Sequence, residues 1–149
     1  MPGIRERLSE DMKAAMREKS ELRLATIRMI RSEILNKDKE HGQAATEEEI
    51  LKILQGMIKK REEAAGQFAK GGRPELAEKE RGEAAIVQAY LPAQLSEAEL
   101  REAAQAAIAE LGASSVKDMG KVMGVLSKRL AGQAAGARIS QTVKQLLGG

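Results

Sequence analysis

The sequence Tyr90-Leu-Pro-Ala-Gln-Leu-Ser96 divides the chain into two parts. Pro92 disfavours helical geometry at Leu91, so a helix that reaches Tyr90 must end there. Ser96 is followed three residues later by Glu99, which is the capping-box pattern that begins a helix. We therefore predict a domain junction at residues 90–96, between an N-terminal domain at residues 1–91 and a C-terminal domain at residues 95–149.

Before this junction, apolar residues recur at helical spacing in four segments. The segments are separated by Ser20, by residues 41–45 and by residues 71–74, and Thr46 with Glu49 forms a second capping box. The second segment is apolar on several sides, so we expect its helix to be central. Its three arginines, Arg23, Arg28 and Arg31, are interpreted as partly buried stems with solvated or paired heads, and partner binding is the alternative. The short breaks predict two helical hairpins packed together.

After the junction, three shorter apolar patterns predict three more helices. The fifth helix ends at Gly112, the sixth covers Val116–Leu130 with Ser115 and Asp118 as caps, and the last carries Ile139 and Val143. The predicted fold class is therefore all-α, with an N-terminal bundle of about four helices followed by a small three-helix C-terminal domain.

The sixth predicted helix has two distinct faces. At about 100° per residue, one arc about 120° wide holds apolar side chains, and an adjacent arc about 100° wide holds glycine and lysine. The apolar residues are Val116, Met119, Val122, Met123, Leu126 and Leu130, and the second arc holds Lys117, Gly120, Lys121, Gly124 and Lys128. A mid-helix glycine costs roughly 1 kcal/mol relative to alanine. Close approach of an RNA backbone explains the two glycines, and close packing of another helix explains them equally well.

Composition and charge limit the function classes. Aromatic residues make up 1% of the chain, which argues against recognition of single-stranded nucleic acid by base stacking. Residues 112–149 carry six basic and one acidic side chain, so their net charge is +5, whereas residues 1–90 carry +1. Cysteine is absent and no run of 18 apolar residues occurs. We expect a cytoplasmic protein with no membrane segment, and the first residues lack the apolar core of a signal peptide.

The sequence carries no recognisable catalytic motif. The sequence contains no Walker loop, no HExxH, no catalytic cysteine and no Ser-His-Asp arrangement in a plausible context. His41 is the single histidine, and we interpret it as an exposed loop residue. We therefore predict no catalytic residue, no metal site and no cofactor.

Several stretches together resemble one known family. They are Leu24–Ile34, Tyr90–Leu100, Gly112–Ser115 and Asp118-Met-Gly-Lys-Val-Met-Gly124, followed by Gly132 and Gly136. In these stretches the chain resembles the GatB/YqeY family, and specifically its free-standing YqeY-like members, over essentially its full length. It departs from the family near Ala135, where an acidic residue is expected.

This resemblance implies a helical bundle followed by a small helical domain similar to the C-terminal tail of the B subunit of the glutamyl-tRNA(Gln)/aspartyl-tRNA(Asn) amidotransferase. That tail is associated with holding tRNA, while amide transfer takes place elsewhere in the enzyme. The resemblance also brings the label of a carbon-nitrogen ligase with glutamine as amido-N-donor. It brings no catalytic residue to this chain.

Two main functions follow as expectations. The first is a non-catalytic accessory protein that binds tRNA or structured RNA through its C-terminal domain. The expected RNA-binding residues are Lys117, Gly120, Lys121, Gly124, Lys128, Arg129, Arg138 and Lys144. The alternative is a protein-interaction module that docks on amidotransferase or aminoacyl-tRNA synthetase components. A third hypothesis is a component of a carbon-nitrogen ligase activity.

Overall fold

The computed structural model describes residues 3–148, which contain seven α-helices, one 3-10 turn and no strand. The helices are α1 (Ile4–Glu18), α2 (Glu21–His41), α3 (Glu47–Lys70), α4 (Pro74–Gln88), α5 (Glu97–Leu111), α6 (Met119–Arg129) and α7 (Gly136–Leu146), with the 3-10 turn at Val116–Asp118. The predicted all-α class is confirmed. The chain forms two compact units, an N-terminal unit that ends at Leu91 and a C-terminal unit that begins at Pro92.

Two helical hairpins make up the N-terminal unit. Helices α1 and α2 pack as one pair, α3 and α4 pack as the other, and α2 contacts all three of the other helices. The central position expected for α2 is therefore confirmed. The core contains Leu8 of α1, Ile27, Ile30 and Ile34 of α2, Leu54 and Met57 of α3, and Val87 of α4.

Helix α2 nevertheless leaves apolar side chains in solvent. Its residues Ile27, Ile30 and Ile34 are buried, but Leu22, Met29 and Leu35 are exposed. The unit buries one side of α2. On its flank the Leu22 side chain lies against Gly82 of α4, and Met29 Sδ lies 3.4 Å from Arg61 Nη2 of α3, so both residues stay only partly exposed. An apolar pattern on several sides thus predicted the contacts of α2 correctly but overestimated its burial.

The predicted helix boundaries rest on local hydrogen bonds. Both capping boxes form, with the Thr46 hydroxyl accepting from Glu49 N–H at 3.2 Å and the Ser96 hydroxyl accepting from Glu99 N–H at 3.2 Å. Gly112 ends α5 in the left-handed conformation with φ of 63°. Ser20 occupies the position before α2, but its side chain makes no cap hydrogen bond. These contacts lie within four residues in sequence, which is why a sequence pattern can reveal them.

Charged residues in the N-terminal unit differ in their pairing. Arg23 pairs with Asp11 at 3.5 Å and with Glu18 at 3.3 Å. Its guanidinium is therefore paired, as expected from the sequence. The Arg31 guanidinium contacts the Met12 sulfur at 2.8 Å. His41 is the last residue of α2 and not a loop residue, because Gly42 adopts the left-handed conformation that ends the helix one residue later.

An ion pair between α3 and α4 is largely shielded from solvent. Arg61 Nε donates to Glu83 Oε2 at 3.1 Å, and the two side chains are only 13% and 11% exposed. Arg61 also donates to the Met57 carbonyl at 3.2 Å. The buried carboxylate of Glu83 therefore has a charged partner, as a buried charge requires.

Tyr90 links the end of α4 to α1. Its ring is 4% exposed, and its hydroxyl donates a short hydrogen bond to the Asp11 carboxylate. Arg7 lies 5.0 Å from the ring centroid and donates to the Ala89 carbonyl at 2.9 Å. Burial and then the hydrogen bond to Asp11 raise the pKa of the Tyr90 phenol above its usual value, although the charges of Arg23 and Arg7 act in the opposite direction.

The C-terminal unit has its own core, because α5, α6 and α7 each pack against the other two. Its fully buried side chains include Leu100, Val122, Leu126 and Val143. The Gln94 side-chain amide donates to the Gly132 carbonyl at 2.7 Å, and Leu95 N–H donates to the Gln133 carbonyl at 2.9 Å. The segment before α5 is thereby fixed to the loop that follows α6.

The prediction of one α-helix over Val116–Leu130 is partly wrong. Residues Val116–Asp118 form a 3-10 turn, and α6 covers Met119–Arg129. The Asp118 carboxylate accepts hydrogen bonds from Ser114 N–H at 2.9 Å and Ser115 N–H at 3.4 Å, which tightens the first turn. A 3-10 turn advances about 120° per residue. Val116 therefore leaves the apolar stripe and is 42% exposed.

Loss of the Tyr90 hydroxyl should weaken the N-terminal unit. We expect Tyr90→Phe to lower the free energy of unfolding by about 1.5–3 kcal/mol, the usual range for a hydrogen bond to a charged group. The raised pKa means that the stabilisation from the neutral phenol is complete below about pH 10 and is lost as the pH rises toward the higher pKa of the folded state.

Tyr90 is the single tyrosine, so the tyrosinate absorbance of the whole chain reports on it alone. The folded chain should titrate at higher pH than the chain in denaturant. Equal titration in both states would contradict this explanation. Asp11→Asn, which keeps an acceptor but removes the charge, should lower the pKa of Tyr90 toward its ordinary value.

Candidate nucleic-acid interface

One exposed surface of the C-terminal unit combines two glycines with three lysines. We call Lys117, Gly120, Lys121, Gly124 and Lys128 the lysine-glycine face, and all five residues are exposed. Four of them lie on α6 within an arc of about 100°. Lys117 lies in the 3-10 turn that leads into the helix. Lys121 and Lys128 are separated by about 10 Å along the helix axis, since each residue rises about 1.5 Å.

The two glycines of this face lie against open space. A Cβ atom placed on Gly120 or Gly124 would have no neighbouring atom within 4 Å. Helix α6 contacts the core through Val122 and Leu126, which point away from the glycines. Within residues 3–148, no other helix packs on either glycine, so the helix-packing explanation is wrong for this unit.

The lysines of the face have no ion-pair partner within residues 3–148. In the part of the chain that the structure describes, Lys117, Lys121 and Lys128 form no ion pair. Asp118 is the one acidic residue of the sequence from 112 to 149. Hydrogen bonds from Ser114 and Ser115 N–H lower the pKa of the Asp118 carboxyl, and the charge of Lys121 lowers it further. The carboxylate is thus directed at backbone donors.

The two candidate arginines have a different role. Arg129 Nη2 lies 2.6 Å from Glu110 Oε2, which joins α6 to α5. Arg138 Nη2 donates to Glu97 Oε1 at 3.1 Å and to the Leu95 carbonyl at 3.2 Å, which joins α7 to α5. Exposed ion pairs of this kind contribute about 0–1 kcal/mol each. Both arginines therefore differ from the lysines of the face in having an acidic partner on α5.

Lys144 is exposed near the end of α7 and lies on a different helix from the other lysines. Like them, it forms no ion pair among the residues described. Five of the eight predicted residues thus lie on α6 and the 3-10 turn before it, Arg129 follows Lys128 on α6, and Arg138 and Lys144 lie on α7.

Gln94 was not recognised from the sequence as a structural residue. Its amide bridges the Pro92 carbonyl at 2.9 Å and the Gly132 carbonyl at 2.7 Å. Gly132 has a φ of 77°, a backbone conformation that glycine adopts more readily than other residues. In this conformation its carbonyl accepts the hydrogen bond from Gln94. The only available signal was the position of Gln94 directly after the Pro92 break.

The face is suited to contact with a polyanion. Lysine side chains neutralise phosphates as point charges, and exposed glycines let a second surface reach the helix backbone. Residues 92–149 contain no aromatic residue, so the C-terminal unit offers no aromatic ring for base stacking. Within the described residues, no group of three or more His, Cys, Asp or Glu side chains could hold a metal ion. No helix of residues 3–148 is long and apolar enough to cross a membrane.

Comparison with known proteins gives one family and several relatives. The family described as Yqey-like protein matches residues 5–147. "Altered inheritance of mitochondria protein 41, mitochondrial" from Pyrenophora tritici-repentis is 30% identical over 146 residues, which cover 95% of this chain and 80% of that protein. A protein of the same name from Clavispora lusitaniae is 39% identical over 84 residues, or 56% of this chain and 49% of that protein. An uncharacterized protein from Schizosaccharomyces pombe is 33% identical over 89 residues, or 60% of this chain and 69% of that protein.

The open surroundings of the glycines lead to a stability prediction. We expect Gly120→Ala and Gly124→Ala each to raise the free energy of unfolding of the C-terminal unit by about 1 kcal/mol, because alanine favours the helix and meets no obstacle. Gly112→Ala is the matched control. It should lower stability by about 1–2 kcal/mol, because φ at Gly112 is positive. Amide hydrogen exchange of Val122 and Leu126 in the full chain measures both effects, and faster exchange in Gly120→Ala would contradict the prediction.

Proposed function

Because this chain belongs to the family of YqeY-like proteins, we propose that it is a non-catalytic accessory protein that binds tRNA or another structured RNA through its C-terminal unit. The observation that carries the proposal is the lysine-glycine face, where Lys117, Lys121 and Lys128 surround two glycines that nothing in the unit covers. The resemblance to the tail of the amidotransferase B subunit supports the same proposal.

Electrostatics supports binding to phosphates. The net charge of +5 over residues 112–149 is concentrated in the part of the chain that carries this face. Each lysine that neutralises a phosphate releases counterions, so affinity depends steeply on salt. Arg129 and Arg138 pair with Glu110 and Glu97 of α5. The three lysines of the face have no such ion-pair partner among the described residues.

The lack of aromatic residues favours folded RNA over single strands. Single-stranded RNA is commonly held by stacking its bases on aromatic side chains, and residues 92–149 have none. A folded RNA such as tRNA presents a fixed arrangement of phosphates, which charged side chains along one helix face can contact. We therefore propose recognition by phosphate and shape contacts, with no readout of base edges.

We also propose that the protein is cytoplasmic. The lack of cysteine is consistent with this location, because the chain cannot form a disulfide. Two of its relatives are named as mitochondrial proteins. Fractionation of cells that express the protein, followed by immunodetection, separates the two locations. Recovery in the mitochondrial fraction would contradict a cytoplasmic location.

Charge reversal on the lysine-glycine face tests the RNA proposal. We expect the combined change Lys117→Glu, Lys121→Glu and Lys128→Glu to weaken binding of labelled tRNA at least about tenfold. It should also reduce the slope of log affinity against log salt by about 2–3, because each phosphate contact contributes roughly 0.7–0.9. Fluorescence anisotropy across a salt series measures both quantities.

The matched control reverses three exposed lysines of α3, Lys52, Lys59 and Lys70, and should leave affinity and slope nearly unchanged. Equal loss in both triple variants would show that the binding is nonspecific attraction. If the wild-type chain does not bind tRNA but is recovered with aminoacyl-tRNA synthetase or amidotransferase components, the protein-interaction alternative replaces this proposal.

The glycines provide a separate test of close approach. Gly120→Ala and Gly124→Ala should weaken tRNA binding even though they are expected to stabilise the unit, because a methyl group keeps the RNA backbone away from the helix. Measuring affinity and hydrogen exchange on the same samples distinguishes this effect from unfolding. Unchanged affinity would limit the RNA contact to the lysines.

A further inference from the structure

Helix α2 carries large apolar side chains that its own unit covers only in part: Leu22 lies against Gly82 of α4, and Met29 contacts Arg61 of α3. Five large apolar side chains are exposed among the described residues, and three of them, Leu22, Met29 and Leu35, belong to this helix. Their side chains are 39%, 36% and 51% exposed. The opposite side of α2 is buried in the core of its own unit through Ile27, Ile30 and Ile34.

The exposed residues of α2 follow a coiled-coil spacing. A stripe of five exposed residues recurs at intervals of three and four, and it consists of Leu22, Ala25, Met29, Ser32 and Asn36. We call these five residues the α2 stripe. An alternation of three and four is the seven-residue repeat by which two helices pack along a common line. In that repeat Leu22, Met29 and Asn36 occupy the a positions, and Ala25 and Ser32 occupy the d positions.

Two opposite charges lie on the two sides of this stripe. Arg28 occupies the g position and Glu33 occupies the following e position, five residues later. Both side chains are exposed, and neither forms an ion pair or a hydrogen bond in the described part of the chain. The unit itself therefore does not satisfy either charge.

The positions of these charges are complementary in a parallel pair of identical helices. There, a g residue faces the e residue five positions further along the other helix. Arg28 would meet Glu33 of the second copy, and two-fold symmetry repeats the pair with the roles exchanged. In an antiparallel pair, g positions face g positions and e positions face e positions. Arg28 would then not reach Glu33. Asn36 at an a position also favours parallel two-stranded packing.

From this arrangement we infer that the α2 stripe pairs in parallel with the α2 stripe of a second copy of this chain, which makes the protein a homodimer. The surface beside the stripe is concave. A shallow groove there is lined by Arg28, Met29, Ser32 and Glu33 of α2 and by Met57, Lys60 and Arg61 of α3. The inference does not depend on RNA binding, although a dimer carries two lysine-glycine faces and would gain avidity for an RNA with two contact regions.

Charge reversal at Arg28 and Glu33 tests the proposed pairing of the two helices. Analytical ultracentrifugation of the full chain should give a dimer of about twice 16.1 kDa that dissociates on dilution. Arg28→Glu and Glu33→Arg should each raise the dissociation constant by about tenfold, because each creates two like-charge contacts. The double variant should restore the wild-type value, and an equimolar mixture of the two single variants should form heterodimers.

Lys52→Glu on α3 is the charge-reversal control and should leave the dimer unchanged. A wild-type chain that remains monomeric up to high concentration would overturn the inference. A dimer whose dissociation constant responds to neither single reversal, or whose double variant is weaker than both singles, would also overturn it. Circular dichroism of each variant checks that the helices are intact.

Crosslinking tests the parallel direction independently of charge. The chain contains no cysteine, so a single introduced thiol can be followed without background. In the parallel pair the two copies of residue 32 face each other across the stripe, and Ser32→Cys should oxidise to a disulfide-linked dimer. Gln67→Cys on the exposed surface of α3 is the control and should not. Equal crosslinking of both variants would overturn the proposed direction.

Discussion

Tyr90 and Gln94 lie four residues apart on the two sides of Pro92, and each bonds to a distant part of its own unit. The Tyr90 hydroxyl binds Asp11 of α1, and the Gln94 amide binds the Gly132 carbonyl after α6. Pro92 disfavours helical geometry at Leu91, and the two bonds attach the residues on its two sides to different units. The segment that separates the units therefore also contributes to the packing of each.

Much of the fold could be predicted from the sequence because it depends on contacts between near neighbours. The capping pairs Thr46 with Glu49 and Ser96 with Glu99 lie three residues apart, so their pattern is visible directly. The ion pair between Arg61 and Glu83 joins residues 22 positions apart, and no local pattern indicates it. The same limit applies to α2, since its periodicity could not show that Leu22, Met29 and Leu35 stay partly exposed.

For the candidate site, the sequence predicted which residues share a helical face but not what surrounds them. Gly120 and Gly124 were compatible with helix packing until the positions of α5 and α7 were known. Arg129 and Arg138 looked equivalent to the neighbouring lysines, yet they pair with acids 19 and 41 residues away. The Asp118 carboxylate accepts two backbone hydrogen bonds in the first turn, which is a 3-10 turn, and Val116 is therefore exposed.

The two exposed glycines also affect how α6 moves. Glycine lowers helix stability, and a helix that lacks side-chain cover on one side exposes its backbone hydrogen bonds to water. Helix α6 should therefore bend and open locally more readily than α5, which contains no glycine. A compliant helix can follow the curvature of a surface that it contacts, but its ordering on contact reduces conformational entropy and so limits affinity. In the proposed RNA contact, a compliant α6 would tolerate variation in the shape of the RNA at a cost in affinity.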